Sequence, residues 1–309
     1  MKRTLLPAVL LMAIAIGNGT FTSSVDASGG GSTTSSSVVW PGTLGGNSSA
    51  AYAASSTGSV VVGYASNAAG NYRAFRWTAA TGMKDLGDFG YAYASSYGVS
   101  GDGSVVVGEA WDAQFNQRAF RWTAAGGLQD LGTVGGPYAV AARVSANGLV
   151  IVGESWDASS NSHAFRWTAA GGMQDLGTFG GYASGAYGVS ADGSVVVGMA
   201  EDANGMRRAF RWTAAGGMHD LGLMGGTYSE AYDVSSDGAT IVGDAADSTG
   251  AMRAFEWTAA TGMKSLGSLY GLGSGSFFVY ANGISGDGHH VVGWGYNRSK
   301  SRYEAYTTN

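Results

Sequence analysis

Trp77, Trp122, Trp167, Trp212 and Trp257 follow one another at a constant step of 45 residues, each preceded two positions earlier by Phe75, Phe120, Phe165, Phe210 or Phe255. Every 45-residue copy also reads as four short strand-like runs joined by glycine-rich turns. A fixed period of this length marks a repeat architecture. Four strands per period predict an all-β fold, a six-bladed β-propeller of four-stranded antiparallel blades. An open β-solenoid also buries a core between stacked repeats, but its coils are shorter and pair in parallel, whereas each copy here holds two hairpins.

In the fourth copy the runs are Ala186 to Ser190, Val195 to Ala200, Arg208 to Ala214 and Met218 to Gly222. Their aromatic, β-branched and threonine content is strand chemistry rather than a helical 3.6-residue pattern. The first turn carries Asp102-Gly103, Asp192-Gly193, Asp237-Gly238 or Asp287-Gly288, with Asn147-Gly148 and Thr57-Gly58 in the remaining copies. Such dipeptides suit the positive φ of tight turns, so these aspartates read as turn formers rather than catalytic or calcium-binding carboxylates. For the second hairpin, a four-residue loop over Ala79 to Gly82 predicts Thr78 opposite Met83, Trp77 opposite Lys84 and Arg76 opposite Asp85. Arg121/Asp130, Arg166/Asp175 and Arg211/Asp220 repeat the last combination. A cross-strand ion pair contributes only ~0.2 to 1 kcal/mol, enough to mark register.

The N-terminal residues 1–27 combine Lys2 and Arg3, the apolar run Leu5 to Ile16 and the small-residue site Val25-Asp26-Ala27, which predicts a secretory signal peptide. About a dozen apolar residues fall short of the ~20 that span a bilayer. Residues 28–37 are a flexible Gly/Ser/Thr linker, and residues 38–309 hold the repeats. The span from Gly42 to Asn309 stops one outer strand short of six complete copies. Val38-Val39-Trp40 has strand character, so this N-terminal strand is expected to close the last blade.

Fifty-three glycines, three prolines and 13% charged residues describe a turn-rich β protein rather than a disordered polyelectrolyte. A net charge of -5 provides no basic footprint for nucleic acid or anionic lipid. The absence of cysteine excludes a disulfide framework and a thiolate metal site. His163, His219, His289 and His290 occupy unrelated repeat positions, so neither a metal nor a cofactor is expected. No GxGxxG, P-loop or Gly-x-Ser-x-Gly motif stands in a suitable context.

Gly42 to Gly46 (GTLGG), Val189 to Gly198 (VSADGSVVVG) and His163 to Gly177 (HAFRWTAAGGMQDLG) recur in order and resemble the HAF family of probable extracellular repeats in bacterial exported proteins. Copy three carries the literal His163-Ala164-Phe165, other copies have Arg73, Arg118, Arg208 or Arg253 in the histidine place, and the last reads Glu304-Ala305-Tyr306. The resemblance covers essentially all of the chain after residue 27. It implies a protein that is secreted, extracellular or held at the cell surface, with the periplasm as the other compartment, and it brings no catalytic residues.

Specific chemistry is sought where the copies differ. After the glycine of the second strand they read Tyr64, Glu109, Glu154, Met199, Asp244 and Trp294. Three positions on stand Asn67, Asp112, Asp157, Asp202, Asp247 and Asn297, which read as Asx-turn residues. Trp111 and Trp156 occupy the place of Ser66, while Tyr91, Tyr138, Tyr182 and Tyr228 fall between copies. Rings beside carboxylates suit stacking on sugars or packing on a protein, and they also seal the tops of blades. Arg143 and Asp233 replace small residues of the innermost strand and either meet across the channel or are solvated. The candidate ligand-binding residues are therefore Trp111, Trp156, Glu109, Glu154, Asp244, Tyr138 and Tyr182.

Near-identical copies predict a monomeric, non-catalytic binding module for a glycan or a cell-surface protein. The alternative is a secreted carbohydrate-active hydrolase or lyase using Glu109, Glu154 or Asp244 as acid and base.

Overall fold

A computed structural model describes residues 39–269, 279–297 and 301–308. The expected signal peptide (1–27), the linker (28–37), Val38 and the inserted stretch 271–278 lie outside them. The chain divides into Met1–Trp40 and Pro41–Asn309, and the described part of the second is all-β apart from a single helical turn at Leu266–Leu269.

The first repeat comprises β1 (Gly45–Ala54), β2 (Val61–Asn67), β3 (Tyr72–Thr78) and β4 (Gly82–Asp85), and the second β5 (Gly90–Val99), β6 (Val105–Asp112), β7 (Gln117–Thr123) and β8 (Gly127–Asp130). The third has β9 (Ala139–Val144), β10 (Val150–Trp156), β11 (Ser162–Thr168) and β12 (Gly172–Asp175), and the fourth β13 (Gly180–Val189), β14 (Val195–Asp202), β15 (Arg207–Thr213) and β16 (Gly217–Asp220). Then come β17 (Gly225–Val234), β18 (Thr240–Asp247), β19 (Met252–Thr258) and β20 (Gly262–Ser265), and finally three strands, β21 (Val279–Ile284), β22 (Val291–Asn297) and β23 (Arg302–Thr307). Strands within a repeat pair antiparallel in sequence order, and one parallel bridge, Tyr72 to Tyr93, ties β3 to β5.

The cores lie between successive repeats rather than within one. Phe165 and Trp167 of β11 pack with Val105, Val107 and Leu131 of the preceding repeat. Phe120 and Trp122 do the same with Val60, Val62 and Leu86. Phe210 and Trp212 bury Val150, Val152 and Leu176, and Phe255 buries Val195, Val197 and Leu221. The Asp-Gly turns add a backbone chain from repeat to repeat: Gly101 N–H donates to Ala146 O, Asn147 to Ala191 O, Ala191 to Ser236 O and Ser236 to Gly286 O.

The second hairpin is one residue out of the expected register. Thr78 pairs with Gly82, Trp77 with Met83, Arg76 with Lys84 and Phe75 with Asp85. The loop has three residues, and Gly82 at φ 68° takes the left-handed position that closes it. Asp85 therefore shares a face with Phe75 and Arg73, and it is Arg73 Nε that meets Asp85 Oδ2 at 3.0 Å, not Arg76. Arg118 with Asp130 at 2.7 Å and His163 with Asp175 at 2.7 Å repeat the arrangement. Arg76 instead donates to the Gly103 carbonyl of the next repeat at 3.1 Å.

Each innermost strand contains a bulge. Ala51 faces Gly63 and Ala53 faces Val62, leaving Tyr52 as the extra residue. Tyr97, Ala142, Tyr187, Tyr232 and Asn282 are its counterparts. The bulge explains the glycine that follows the valines of every second strand. A Cβ on Gly153 would lie 1.9 Å from the Val140 carbonyl oxygen, and one on Gly198 1.9 Å from that of Gly185. Only a residue without a side chain admits that approach.

The last repeat has no fourth strand among the described residues, and β23 pairs only with β22. Val39 and Trp40 lie outside any strand and are 58% and 86% exposed. The expected closing strand is thus not formed by these two residues.

Candidate functional site

Glu109, Glu154 and Asp244 occupy equivalent places on β6, β10 and β18, one residue past the bulge glycine. They are strand residues and buried, at 3%, 9% and 0% exposure, not groups standing on an open loop face as the sequence suggests. Side chains alternate along a strand, so Glu109 shares a face with Val105 and Val107, which pack against the third repeat. By the same step Glu154 lies with Val150 and Val152 toward the fourth repeat, and Asp244 with Val242 toward the last.

The bulge tyrosines receive these carboxyls. Tyr97 Oη donates to Glu109 Oε1 at 2.8 Å, and Gln117 Nε2 donates to Glu109 Oε2. Glu154 accepts from Ser162 Oγ at 3.1 Å. Its other oxygen, Oε1, and Tyr187 Oη come together over Gly185, where an added Cβ would lie 2.5 and 2.9 Å from them. Both atoms are buried without a hydrogen bond of good geometry. Asp244 Oδ1 accepts the Ala281 N–H of the last repeat at 3.1 Å.

Glu230, opposite Asp244 in the β17–β18 pair, completes this interior: Arg207 Nη1 donates to its Oε1 at 2.8 Å and Tyr232 Oη to its Oε2 at 3.1 Å. Tyr187 and Tyr232 stack at 6.2 Å. Sequence comparison of the copies missed Glu230 because its first-strand position was not compared; its signal is a charge where the other copies carry Ala50, Ser95, Val140, Gly185 and Tyr280.

Loss of water decides the protonation of these groups. Burial raises Glu109 to about 7 against the opposing hydrogen bonds of Tyr97 and Tyr93. Burial likewise raises Glu154 to about 7, with Ser162 and Tyr187 opposing the rise and Glu230 adding to it. Asp244 is pushed well above the usual carboxylate range, again by burial. A carboxyl neutral near pH 7 is a general acid in principle. Glu109 faces the third repeat and Glu154 the fourth, so the two carboxyls lie in different joints.

The loop aspartates turn out to be structural. Asp112 Oδ1 accepts the N–H of Gln114 and of Asn116, both at 2.9 Å, and Asp157, Asp202 and Asp247 repeat the pattern. Asp102 Oδ1 holds its own turn through Ser100 Oγ at 2.6 Å and the Ser104 N–H at 2.9 Å. Arg143 and Asp233 do not form an ion pair: Asp233 Oδ2 accepts the Ile284 N–H at 3.0 Å, while Arg143 donates to the Ala142 carbonyl at 3.0 Å.

The aromatic candidates separate. Trp156 packs edge-on against Tyr138 at 4.6 Å, and both are half-buried. Trp111 lies 5.9 Å from Tyr91 and 5.8 Å from Tyr93. Tyr182 is 76% exposed. The last repeat carries a group that the sequence reading did not assemble, Tyr280 stacked on Trp294 at 4.4 Å and Trp294 against Tyr303 at 5.6 Å.

Bulged inner strands, cores between consecutive four-stranded sheets and turns linked in series define a β-propeller type of protein. Solved structures agree on the fold. TolB from Acinetobacter baumannii aligns with 82% of this chain at 12% identity and a TM-score of 0.50. The β-propeller domain of the trilobed protease from Pyrococcus furiosus, described as having an open velcro topology, aligns with 81% at 8% identity and a TM-score of 0.53. A prolyl endopeptidase aligns with 84% at 12% identity and a TM-score of 0.57. The chain spans 64% of that TolB chain, 78% of the protease domain and 42% of the endopeptidase. No protein-family model and no curated protein matches the sequence. No helix among the described residues is long and apolar enough to cross a membrane.

Proposed function

We propose that this chain is an exported, monomeric recognition module, a six-bladed propeller that binds a glycan or a cell-surface protein through its variable loops and carries out no reaction. The observation that carries this reading is the division of labour among the residues that differ between copies. The carboxyls Glu109, Glu154 and Asp244 are buried in different joints between repeats, whereas Tyr52, Tyr72, Tyr91, Phe115 and Tyr182 expose large rings. Closure of the ring belongs to this proposal and not to the described packing: Phe75 is 1% exposed although no repeat precedes it in sequence, but Val292, the last repeat's counterpart of the fully buried Val62 and Val107, is 50% exposed. Export accords with the resemblance of the repeats to the HAF type and with the N-terminal residues 1–27.

The test is a screen of the purified chain against a glycan array and a panel of bacterial and host surface proteins, followed by the double variant Glu109→Gln, Glu154→Gln. A binder keeps its affinity within a few-fold in that variant. The hydrolase or lyase alternative, which the raised carboxyls would serve, requires turnover of a bound glycan and its loss by orders of magnitude in the same variant. Turnover with that loss would refute the binding reading.

A further inference from the structure

Phe115 stands at φ 65°, in the left-handed region, at the tip of the loop between β6 and β7. The same loop position is Gly70, Gly205 and Gly250 in the first, fourth and fifth repeats, at φ 81°, 73° and 80°, and Ser160 in the third, at φ 68°. Glycine adopts this conformation without penalty, and a bulky side chain there is an outlier that the backbone resists. Burial does not compensate, since Phe115 is 57% exposed. A strained backbone that holds an apolar ring out in water is a signature of a functional position.

The ring does not stand alone. Phe115 lies 4.8 Å from Tyr91, Tyr91 stacks on Trp111 at 5.9 Å and 30°, and Trp111 meets Tyr93 edge-on at 5.8 Å. Tyr93 continues to Tyr72 at 6.4 Å, across the parallel bridge that joins the first two repeats. The row therefore runs from a loop tip of the second repeat onto the first; Phe115, Tyr91 and Tyr72 are 57%, 38% and 44% exposed, and Trp111 and Tyr93 between them are half-buried. Sequence comparison singles out Trp111 but not Phe115, whose signal is a large residue in the place of a loop glycine.

Among the described residues no cation along the row is left unpaired, and carboxylates outnumber cations there. Arg73 is held by Asp85 and Asp88, and Arg118 by Asp130. The Asp112 carboxylate is taken up by Asn116 and the loop backbone. What faces solvent is aromatic surface, tyrosine hydroxyls and the exposed amide of Gln114. An anionic ligand finds no free cation there among the described residues, and a flat uncharged one finds both stacking faces and neutral hydrogen-bonding groups.

We propose that the row Tyr72, Tyr93, Trp111, Tyr91 and Phe115 binds an uncharged oligosaccharide, whose pyranose rings lay their C–H faces on the exposed aromatic rings. The inference rests on the recognition reading above and narrows it to one ligand class and one place. Stacking against several rings in line selects a chain of sugars over a monosaccharide, and the surplus of carboxylates around the row selects against uronic and sialic acids.

The experiment uses the full chain and four probes in calorimetric titration: cellohexaose, chitohexaose, a hyaluronan hexasaccharide as the anionic counterpart and a Pro-rich decapeptide, which suits aromatic grooves of a different kind. At least one neutral hexasaccharide is expected to bind, with the hyaluronan fragment at least tenfold weaker. Phe115→Gly and Tyr91→Ala are each expected to lower that affinity tenfold or more, while Leu149→Ala, 66% exposed beside the Asn147-Gly148 turn of the third repeat, leaves it within twofold. Phe115→Gly is also expected to unfold at the same or a higher temperature than the parent chain, because glycine relieves the backbone. Sugar binding that survives both substitutions overturns the row as the site and leaves the recognition reading standing. Binding of the decapeptide or the anionic fragment alone overturns the ligand class. If no probe binds, the proposal fails, and the recognition reading fails with it only if the surface-protein panel is also empty.

Discussion

Trp167 offers the most direct test of where the core lies. It sits on β11 between Ile151 of β10 and Met173 of β12 and is 6% exposed. Its neighbours in the core include Phe165, Val105, Val107 and Leu131, so the ring spans the joint between the second and third repeats. A buried tryptophan removes ~150 to 250 Å² from water, which at ~25 cal/mol per Å² corresponds to ~4 to 6 kcal/mol as an upper estimate. Truncation of such rings costs ~3 to 5 kcal/mol, and that is the loss expected for Trp167→Ala. Urea denaturation followed by circular dichroism and by fluorescence measures it. With an m-value of ~3 kcal/mol per M, the midpoint falls by ~1 M or more. The control is Tyr182→Ala, where a ring 76% exposed should change stability by no more than ~0.5 kcal/mol. An unchanged midpoint for Trp167→Ala would refute the inter-repeat core, because the ring would then have to be solvated.

Four further outcomes are expected. Glu109 and Glu154 stand at about 7 in the fold against an ordinary 4.5, so the folded chain holds protons that the unfolded chain releases, and stability falls as pH rises from 4.5 through 7. Glu109→Gln and Glu154→Gln should remove up to ~3 kcal/mol each of that loss above pH 7; Asp244, also raised by burial, keeps a slope of its own, so a slope in the double variant as steep as in the parent would show that Glu109 and Glu154 are solvated. Asp102 and Asp192, held at about 2 by their turn hydrogen bonds, act with the opposite sign: their contribution is present above 3.8 and disappears as the pH falls toward 2. Gly153→Ala, with its Cβ 1.9 Å from the Val140 carbonyl oxygen, should destabilise by ~1 to 3 kcal/mol or more, whereas Gly171→Ala, 3.1 Å from the Thr168 hydroxyl, should cost much less; equal thermal midpoints would argue against the bulge. Among the described residues β23 already has an unpaired edge, and Val39 and Trp40 lie outside any strand, so deleting Ser36 to Pro41 should change association no more than deleting Ser28 to Thr33; self-association by light scattering in the first deletion alone would show that an N-terminal strand covers that edge.

The repeat, the four strands in each full copy and the turn role of Asp102 and Asp112 are legible in the order of the amino acids, because these depend on contacts within a few residues. A left-handed Gly103 is 75° in φ wherever its hairpin is placed, and the carboxylate two residues from an N–H reaches it without help from the rest of the chain. The identity of the core rings was legible too, since a Phe and Trp at fixed phase in every full copy have only one kind of environment in common. Hairpin register was not: a loop of Ala79 to Thr81 closed by a left-handed Gly82 and a four-residue loop have the same sequence, and one residue of slip moves the ion pair from Arg76 to Arg73. The candidate site depended still more on tertiary structure. Whether Glu109 stands in water or reaches about 7 depends on the bulge at Tyr97 and on the sheet that covers Val107, Ile151 being more than forty residues further along the chain. Burial and desolvation are properties of what packs against a residue, and in a repeat protein the packing partner belongs to the next copy, so the chemistry of each carboxyl was decided only when the sheets came together.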